Sequence, residues 1–571
     1  MNMVSISDIR KWNADQLEQA RSEVQRELQV LTSEGDEFAG TKISEGDWTG
    51  KSSASAMAAH DKLLQQGDRH AAGLAAIVKG LAQASDAVRP LPRQINEAEE
   101  LGRKYGFQVG ENGDVTDTFA GKPLPPDIHP EDRERAKQEI TAKLEQVVRT
   151  ATDIDADLAG VFGKAGAGQY GVGQTGNLTT AAAAGTAAMA LTTPDPPAGG
   201  TAAQNAAWWG TLSKAEQGAA IGATPDKIGN LNGVPAVARS QANMNRIPAM
   251  RARLMQRLKN SGSVDEIKSI EAKLKSLDKI KETMHRGNRS LLVLDDTHPR
   301  MEAAIGIGDV DGAKNVNVFT PGFTTTVDGS IKGYDSAMAD LLQKENYLNR
   351  VHGGGSNAAV TWIGYQAPQA DEVASSQSVA LPQAAQHGGN KLAGFLSGVG
   401  VAHEANNAPL HLTALGHSYG STTTGEALGH NTPANDAVLF GSPGEGWNKP
   451  HVNGGHIYSE QAATDYVPAA GHTSDLFHLP TSPGGPLGPD TYSDPNIQHM
   501  STNIKANPEG GDPLAPAFGH SEYLNNGTTS QYNMAAVGSG HSELVKPETE
   551  GDRMLRDASY FTPGFMFGTP K

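Results

Sequence analysis

Along the first 160 positions apolar residues return every three or four places with charged residues between them, which predicts helices. Trp12, Leu17, Val24, Leu28 and Leu31 mark one helix; Met57, Leu63, Leu64, Leu74, Ile77, Leu81 and Val88 mark a second. Between them Asp47-Trp48-Thr49-Gly50 predicts a tight reversal. Its indole is expected to plug the open end of a helical hairpin, and its glycine to let the chain turn beside the ring. Ile95, Ala98, Leu101 and Tyr105 predict a shorter helix, and residues 107–119, rich in Gly, Asp and Asn, a turn-containing hairpin. Ile140, Leu144, Val147, Ala151, Ile154 and Leu158 then predict a long helix, opened by Pro130 and the acidic pair Glu131-Asp132.

The pattern stops at residues 163–200, which turn to Gly, Ala, Thr and Pro and bury too little to order themselves; this stretch predicts a linker. Only 181–191, rich in Ala, carries a weak helical signal. Beyond it, short apolar runs fall at 291–294, 303–307, 315–320, 359–365, 410–415, 437–440 and 456–459. Helical segments fit between several of them, notably 334–348 and 392–406. Alternation of buried strands with helices predicts an α/β fold with a doubly wound, mostly parallel sheet. The expected organisation is an all-α domain over 1–162, a linker over 163–200 and the α/β domain over 201–571. A Lys-rich helical stretch at 248–286, with a seam of Ile267, Ile270, Leu274, Leu277 and Ile280, has acids interleaved with its bases and predicts a solvated face. Its pattern leaves open whether it covers a site.

Composition narrows the class of function. A chain of 571 residues is too long for one ordinary core. Its net charge of −17 argues against nucleic acid or an anionic membrane as partner. It has no cysteine, which removes disulfides, thiolate catalysis and zinc–thiolate sites. No apolar run reaches the length of a transmembrane span, and the first twenty residues lack the pattern of a signal peptide. The expectation is a cytoplasmic protein, or one secreted without a cleavable signal peptide. There is no His-Glu-x-x-His and no phosphate-binding Gly-rich loop ending in Lys-Ser/Thr, so neither metal nor cofactor is expected.

The stretch carrying chemistry is Gly416-His417-Ser418-Tyr419-Gly420. It fits G-x-S-x-G, in which a serine occupies a strained turn between a strand and a helix. With 66 glycines the motif alone is weak, since chance supplies roughly half a match in such a chain. Context raises it: an apolar run precedes the motif, and a compact segment with Gly425 follows, in the order strand, turn, helix. A plain strand-to-helix turn is the competing reading.

Two resemblances extend this reading. Trp48-Thr49-Gly50 between amphipathic helices makes the first 90 or so residues resemble the Trp-X-Gly family of helical-hairpin proteins exported by type VII secretion systems. That resemblance implies a helical partner protein bound through the hairpin. The family's export tag, Tyr followed four residues later by Asp or Glu, is missing from all 12 tyrosines. In the second half, Trp208-Trp209, Ile228-Gly229 and Gly233-Val234-Pro235 ahead of the Gly-His-Ser-Tyr-Gly turn resemble an actinobacterial α/β-hydrolase family of largely uncharacterised function, over about residues 207–520.

The second resemblance implies a triad in the chain order Ser, Asp, His. Ser418 is the expected nucleophile. Asp465, in Thr464-Asp465-Tyr466-Val467-Pro468 after the strand at 456–459, resembles the acid loop of lipase-like hydrolases. His520, in Phe518-Gly519-His520-Ser521-Glu522-Tyr523, resembles their histidine loop; His541, also in Gly-His-Ser-Glu, is the alternative base. The Tyr419 N–H is one expected oxyanion donor, and Phe323 or Thr324, in the turn after the strand at 315–320, supplies the other. His417 is expected to pack or hydrogen-bond, without a catalytic role. The resulting expectation is a serine hydrolase of the esterase or lipase type acting on a small-molecule or lipid ester. The rivals are a type VII-associated effector directed at an envelope component, and a non-catalytic binding protein on a hydrolase scaffold.

Overall fold

The computed structural model describes residues 4–40, 48–126, 128–170, 177–189, 195–372, 375, 378–468 and 485–560. The chain forms two compact units, residues 1–200 with 207–219, and residues 201–206 with 220–571. No described helix is long and apolar enough to cross a membrane.

The first unit is helical. Ser5 and Asp8 form a capping box on the short α1 (Ile6–Ile9), each side chain accepting the other's backbone N–H. Helices α2 (Ala14–Gly40) and α3 (Lys51–Val88) run antiparallel. Ser85 Oγ, near the end of α3, donates to the carbonyl of Ala14 at 2.9 Å, and Phe38, near the end of α2, stacks on His60. Trp48 does not plug this hairpin, because its side chain is 43% exposed. The space between the two helices is taken by another residue, Leu178: a Cβ on Gly35 would lie 2.0 Å from its Cδ1.

Helix α4 (Leu91–Tyr105) ends on Gly106 in the left-handed conformation, φ 75°. The expected hairpin follows as β1 (Phe107–Val109) paired antiparallel with β2 (Val115–Asp117). The long α5 (Pro130–Gly166) closes the core with Ile140, Leu144, Val147 and Ala151.

Leu178 belongs to α6 (Leu178–Ala188), which corrects the reading of 163–200 as a linker. Residues 163–166 are the last turn of α5, and α6 docks on α3 so closely that a Cβ on Gly185 would lie 2.0 Å from the Ala72 carbonyl oxygen. Small residues here make a thin helix that packs by close backbone approach, a route to burial that hydropathy does not register. Residues 171–176 and 190–194 of that stretch lie outside the described residues. Helices α7 (Ala202–Thr211) and α8 (Lys214–Ala223) follow. Residues 207–219, read from sequence as the opening of the α/β domain, are part of the first unit. Within it Thr150 Oγ1 donates to Thr211 Oγ1 at 3.1 Å, both side chains buried.

The second unit is built on an eight-stranded sheet of β3 (Arg289–Asp295), β4 (Glu302–Ile307), β5 (Asn315–Thr320), β6 (Asn357–Ile363), β7 (His411–His417), β8 (Asp436–Phe440), β9 (Ile457–Glu460) and β10 (Ile497–Met500). Their spatial order is β10-β9-β8-β7-β5-β6-β4-β3. Only β4 runs against its neighbours; all the other pairings are parallel. One face carries a core of Val316, Val318, Trp362, Phe395, Leu396 and Tyr419. The other carries Phe319, Met338, Leu341, Phe440, Tyr532 and Met534. Helices on both faces make the sheet doubly wound, the α/β-hydrolase architecture.

Helices α9 (Pro225–Ile228), α10 (Ala236–Asn260) and α11 (Val264–Met284) precede the sheet. Residues 248–286 cover its β3 end, where Ile270, Leu277 and Ile280 pack with Leu291 and Ile305. Polar side chains satisfy the open edge of β3: Ser240 Oγ accepts the Leu291 N–H, while Asn243 and Arg239 donate to the carbonyls of Leu291 and Leu292. This explains Gly229, where a Cβ would lie 2.0 Å from Asn243 Oδ1.

Candidate active site

Strand β7 lies inside the sheet and delivers His417 and Ser418 to its carboxyl edge, where α12 (Tyr419–Leu428) begins. Ser418 has φ 57° and ψ −134°, a conformation that L-residues rarely adopt, and its N–H donates to the Phe440 carbonyl of the neighbouring β8 at 3.0 Å. The glycines of the motif are steric requirements. A Cβ on Gly416 would lie 2.6 Å from Ser421 Cα, and one on Gly420 would lie 2.2 Å from the Thr320 carbonyl oxygen.

The candidate acid follows β9. Thr464, at φ 64°, turns the chain so that Asp465 points inward, and the Asp465 carboxyl is fully buried. It accepts hydrogen bonds from Tyr523 Oη at 2.6 Å and from the Val467 N–H at 3.0 Å. His520 places Nδ1 3.0 Å from each of its oxygens. Burial acts to raise the Asp465 pKa, but the bond and charge of His520 with the other two donors outweigh it, so the carboxyl titrates below its ordinary value. The acid and histidine loops are tied by a bridge between Ala463 and Phe518, with the Gly519 N–H donating to the Ala463 carbonyl at 3.1 Å.

The pair stands over the end of β8, next to the serine. A Cβ on Gly441 would lie 3.0 Å from Asp465 Oδ2 and 3.1 Å from His520 Cε1, and Phe440 is in register with His417. Ser418 Oγ makes no hydrogen bond to His520 among the described residues. Serine and histidine loops meet through His417 instead, whose Nε2–H donates to the His520 carbonyl at 2.7 Å.

The turn after β5 lies against the serine. A Cβ on Gly322 would lie 2.7 Å from the Tyr419 nitrogen and 2.8 Å from Ser418 Cβ. Tyr365 Oη donates to the Pro321 carbonyl at 2.8 Å, and the Gly322 carbonyl accepts from the Thr325 N–H at 3.2 Å. Because N–H and C=O point oppositely across a trans peptide, that second bond turns the Phe323 N–H the other way. Neither the Phe323 nor the Tyr419 N–H is engaged among the described residues. Thr324 is different: its N–H donates to the Pro368 carbonyl at 2.9 Å. Of the two donors named for this turn, Thr324 is therefore occupied and Phe323 is left.

His541 is placed elsewhere. Its Nε2 bonds Asn349 Oδ1 at 2.9 Å and the Gly353 carbonyl at 2.7 Å. Gly540 before it adjoins Asn315 and His411, the first residues of β5 and β7, at the edge of the sheet opposite Ser418. The length of β7, about 20 Å, separates the two. Sequence reasoning missed Tyr523 as a partner of the acid and Tyr365 as a brace of the turn; the spacing of Tyr523 three residues after His520 is the one available signal.

Among the described residues, Asp295, His298 and Glu302 bring possible metal-ligand atoms within 4.8 Å of one another. The Lys391 ammonium already lies 2.8 Å from Glu302 and 3.2 Å from His298, so these groups have a cation of their own.

The fold defines the class as an α/β hydrolase, and comparison with known proteins agrees. An alpha/beta hydrolase family profile matches residues 296–474, a span that includes Ser418 and Asp465. The chain is 30% identical over 387 residues to an uncharacterized protein of Mycobacterium tuberculosis, covering 59% of this chain and 55% of that one. It is 32% identical over 205 residues to an uncharacterized protein of Mycobacterium bovis, covering 34% of this chain and 74% of that one. The chain belongs to this alpha/beta hydrolase family. It spans about half the length of the first of these relatives. Among solved structures, a hyperthermophilic esterase from the archaeon Pyrobaculum calidifontis aligns at 10% identity over 52% of this chain and 98% of its own, with a TM-score of 0.26, too low to carry an argument.

Proposed function

We propose that the second unit is a serine hydrolase that cleaves carboxylic esters, lipid esters included, through Ser418, His520 and Asp465. The observation that carries this reading is the placement of His520 Nδ1 3.0 Å from both oxygens of a buried aspartate, beside a serine held at φ 57°. The bond to Asp465 fixes the proton on Nδ1 and leaves Nε2 unprotonated to act as base. Substrate binding brings Ser418 Oγ within reach of Nε2, as catalytic hydrogen bonds tighten in the Michaelis complex.

Ser418 Oγ attacks the ester carbonyl as its proton passes to His520 Nε2. The oxyanion is received by the N–H groups of Tyr419 and Phe323. The tetrahedral intermediate collapses, the C–O bond to the alcohol breaks, and His520 returns the proton to the departing oxygen. Water repeats the sequence on the acyl-enzyme, releasing the acid and restoring Ser418. Asp465, its pKa held low, stays ionised and stabilises the imidazolium in both halves.

A fluorophosphonate probe tests the reading. The full chain is expected to be labelled on Ser418, Ser418→Ala to be silent, and an ester series of increasing acyl length to show which chain lengths turn over. A folded protein that neither labels nor hydrolyses any member of the series refutes it.

A further inference from the structure

We propose that His417, the residue between Gly416 and the nucleophile, is a positioning residue that holds the His520 loop in register with Ser418. The proposal rests on the hydrolase reading above, and the chain of contacts is short. His417 and Ser418 are consecutive, so whatever fixes the His417 backbone also fixes the serine; β8 does so, through the pairing of His417 with Phe440 and the bond from the Ser418 N–H to the Phe440 carbonyl. The His417 side chain then reaches across to the histidine loop, its Nε2–H donating to the His520 carbonyl at 2.7 Å. The ring is held between Phe440, with centroids 5.1 Å apart and planes at 26°, and the His520 imidazole, at 4.7 Å. Tyr523 flanks it at 5.9 Å.

A residue serving packing alone could be any aromatic. Here the one N–H of a neutral imidazole goes to the backbone of the residue that must meet Ser418 Oγ. The groups facing this ring are His520, Tyr523, Phe440 and, through His520, the Asp465 carboxylate; enclosure first, and the neighbouring His520 second, push its pKa down to about 4, outweighing the bond to the His520 carbonyl and the Asp465 charge, which act to raise it. A neutral ring keeps a second positive charge away from the imidazolium that forms on His520 during turnover. The His417 hydrogen bond goes to the His520 backbone and not to the ring nitrogens that carry the proton, so it acts by setting the distance over which the proton moves.

The experiment compares full-length wild type, His417→Phe and His417→Gln. Phenylalanine keeps a ring and loses the donor, whereas the glutamine amide can place an N–H near the position of Nε2. With a p-nitrophenyl ester, His417→Phe is expected to lose roughly 10- to 100-fold in kcat with KM within about twofold, because small misplacements of a base cost large factors. His417→Gln is expected to recover most of it. A folded His417→Phe with kcat within twofold of wild type, or phenylalanine and glutamine variants equally impaired, overturns the proposal. A readout free of turnover separates this failure from failure of the hydrolase reading. The proton shared by His520 Nδ1 and Asp465 gives a low-field NMR resonance, whose exchange with water is expected to quicken in His417→Phe and not in His417→Gln. Equal exchange in all three proteins refutes the positioning role even if no ester is ever turned over.

Discussion

Tyr523 Oη stands between two partners of the active site, donating to Asp465 Oδ2 at 2.6 Å and accepting the Ala462 N–H at 2.8 Å. The phenol is buried with the carboxylate, so neither partner can turn to water for a substitute. Tyr523→Phe is expected to leave that N–H unpaired, at a cost of about 1–3 kcal/mol in stability. It also loosens Asp465, so kcat is expected to fall roughly tenfold. Urea unfolding and ester turnover of the same preparation check both effects; unchanged kcat in a destabilised variant would restrict Tyr523 to a structural role.

The proposed triad makes a sharper demand. Ser418→Ala and His520→Ala are each expected to lower turnover by about 10³-fold or more. Asp465→Asn should be nearly as severe, since an amide no longer fixes the imidazole tautomer. His541→Ala should keep most activity, because His541 is committed to Asn349 and Gly353 at the opposite sheet edge. Turnover of the four variants, with folding verified by circular dichroism, decides between the two histidines.

A pH dependence follows from His417. Its pKa falls from 6.5 to about 4 on folding, so between those values the unfolded chain binds a proton that the folded protein refuses. Its contribution is complete above pH 6.5 and is lost as pH falls toward 4, amounting to up to about 3 kcal/mol. Asp465, shifted downward, contributes in the same sense at lower pH: its stabilisation is present above the ordinary aspartate pKa and is lost as pH falls through its own. The difference in unfolding free energy between wild type and His417→Phe, followed from pH 7.5 to 4, is expected to change sharply between 6.5 and 4. A flat difference would mean that the ring takes up its proton at an ordinary pH.

The strands nearest the site were legible because β5, β6, β7 and β8 are buried on both faces and read as short Val-, Leu- and Ala-rich runs. Strand β10 was not, for its two middle residues are at least partly exposed and its apolar ends are too few to make a pattern. The helix Thr529–Gly538, here α13, escaped for the opposite reason. All ten of its residues are buried, so Ser530, Gln531 and Asn533 interrupt the hydropathy while hydrogen-bonding inside the fold. The serine turn could be read because it is a compact five-residue pattern, with Gly416 excluded from a side chain by Ser421, five residues on, although the requirement at Gly420 comes from Thr320, 100 positions away. The engagement of Thr324 could not, since it depends on Pro368, 44 positions away.

Trp48 bears on the N-terminal hairpin. At 43% exposure it is not a core residue, so Trp48→Ala is expected to change the unfolding free energy by less than about 1 kcal/mol, against about 3–5 kcal/mol for a buried indole. Acrylamide quenching, compared between wild type and variant, should assign the lost emission to an accessible indole. A loss of several kcal/mol would restore the plug.

The turn after β5 gives the last test, because two of its residues are expected to respond in opposite ways. Gly322 has no room for a side chain, with a Cβ meeting the Tyr419 nitrogen at 2.7 Å and the His417 carbonyl oxygen at 2.8 Å. These are backbone atoms of the serine turn and cannot swing aside, so Gly322→Ala must push the oxyanion turn and the serine apart. A displaced donor loses its grip on the developing charge, and the expected cost is roughly 10²-fold or more in kcat. Thr324, two residues on, holds φ 63° with its side chain exposed and its N–H committed to Pro368. A β-branched residue is strained there, and glycine is not. Thr324→Gly is therefore expected to keep kcat within about twofold and to raise stability by about 1 kcal/mol. The pair tests how tightly the turn must sit against the serine. A Thr324→Gly variant that loses activity while gaining stability would give the fixed backbone of residue 324 a part in the site, and an active, folded Gly322→Ala would remove the turn from the site altogether.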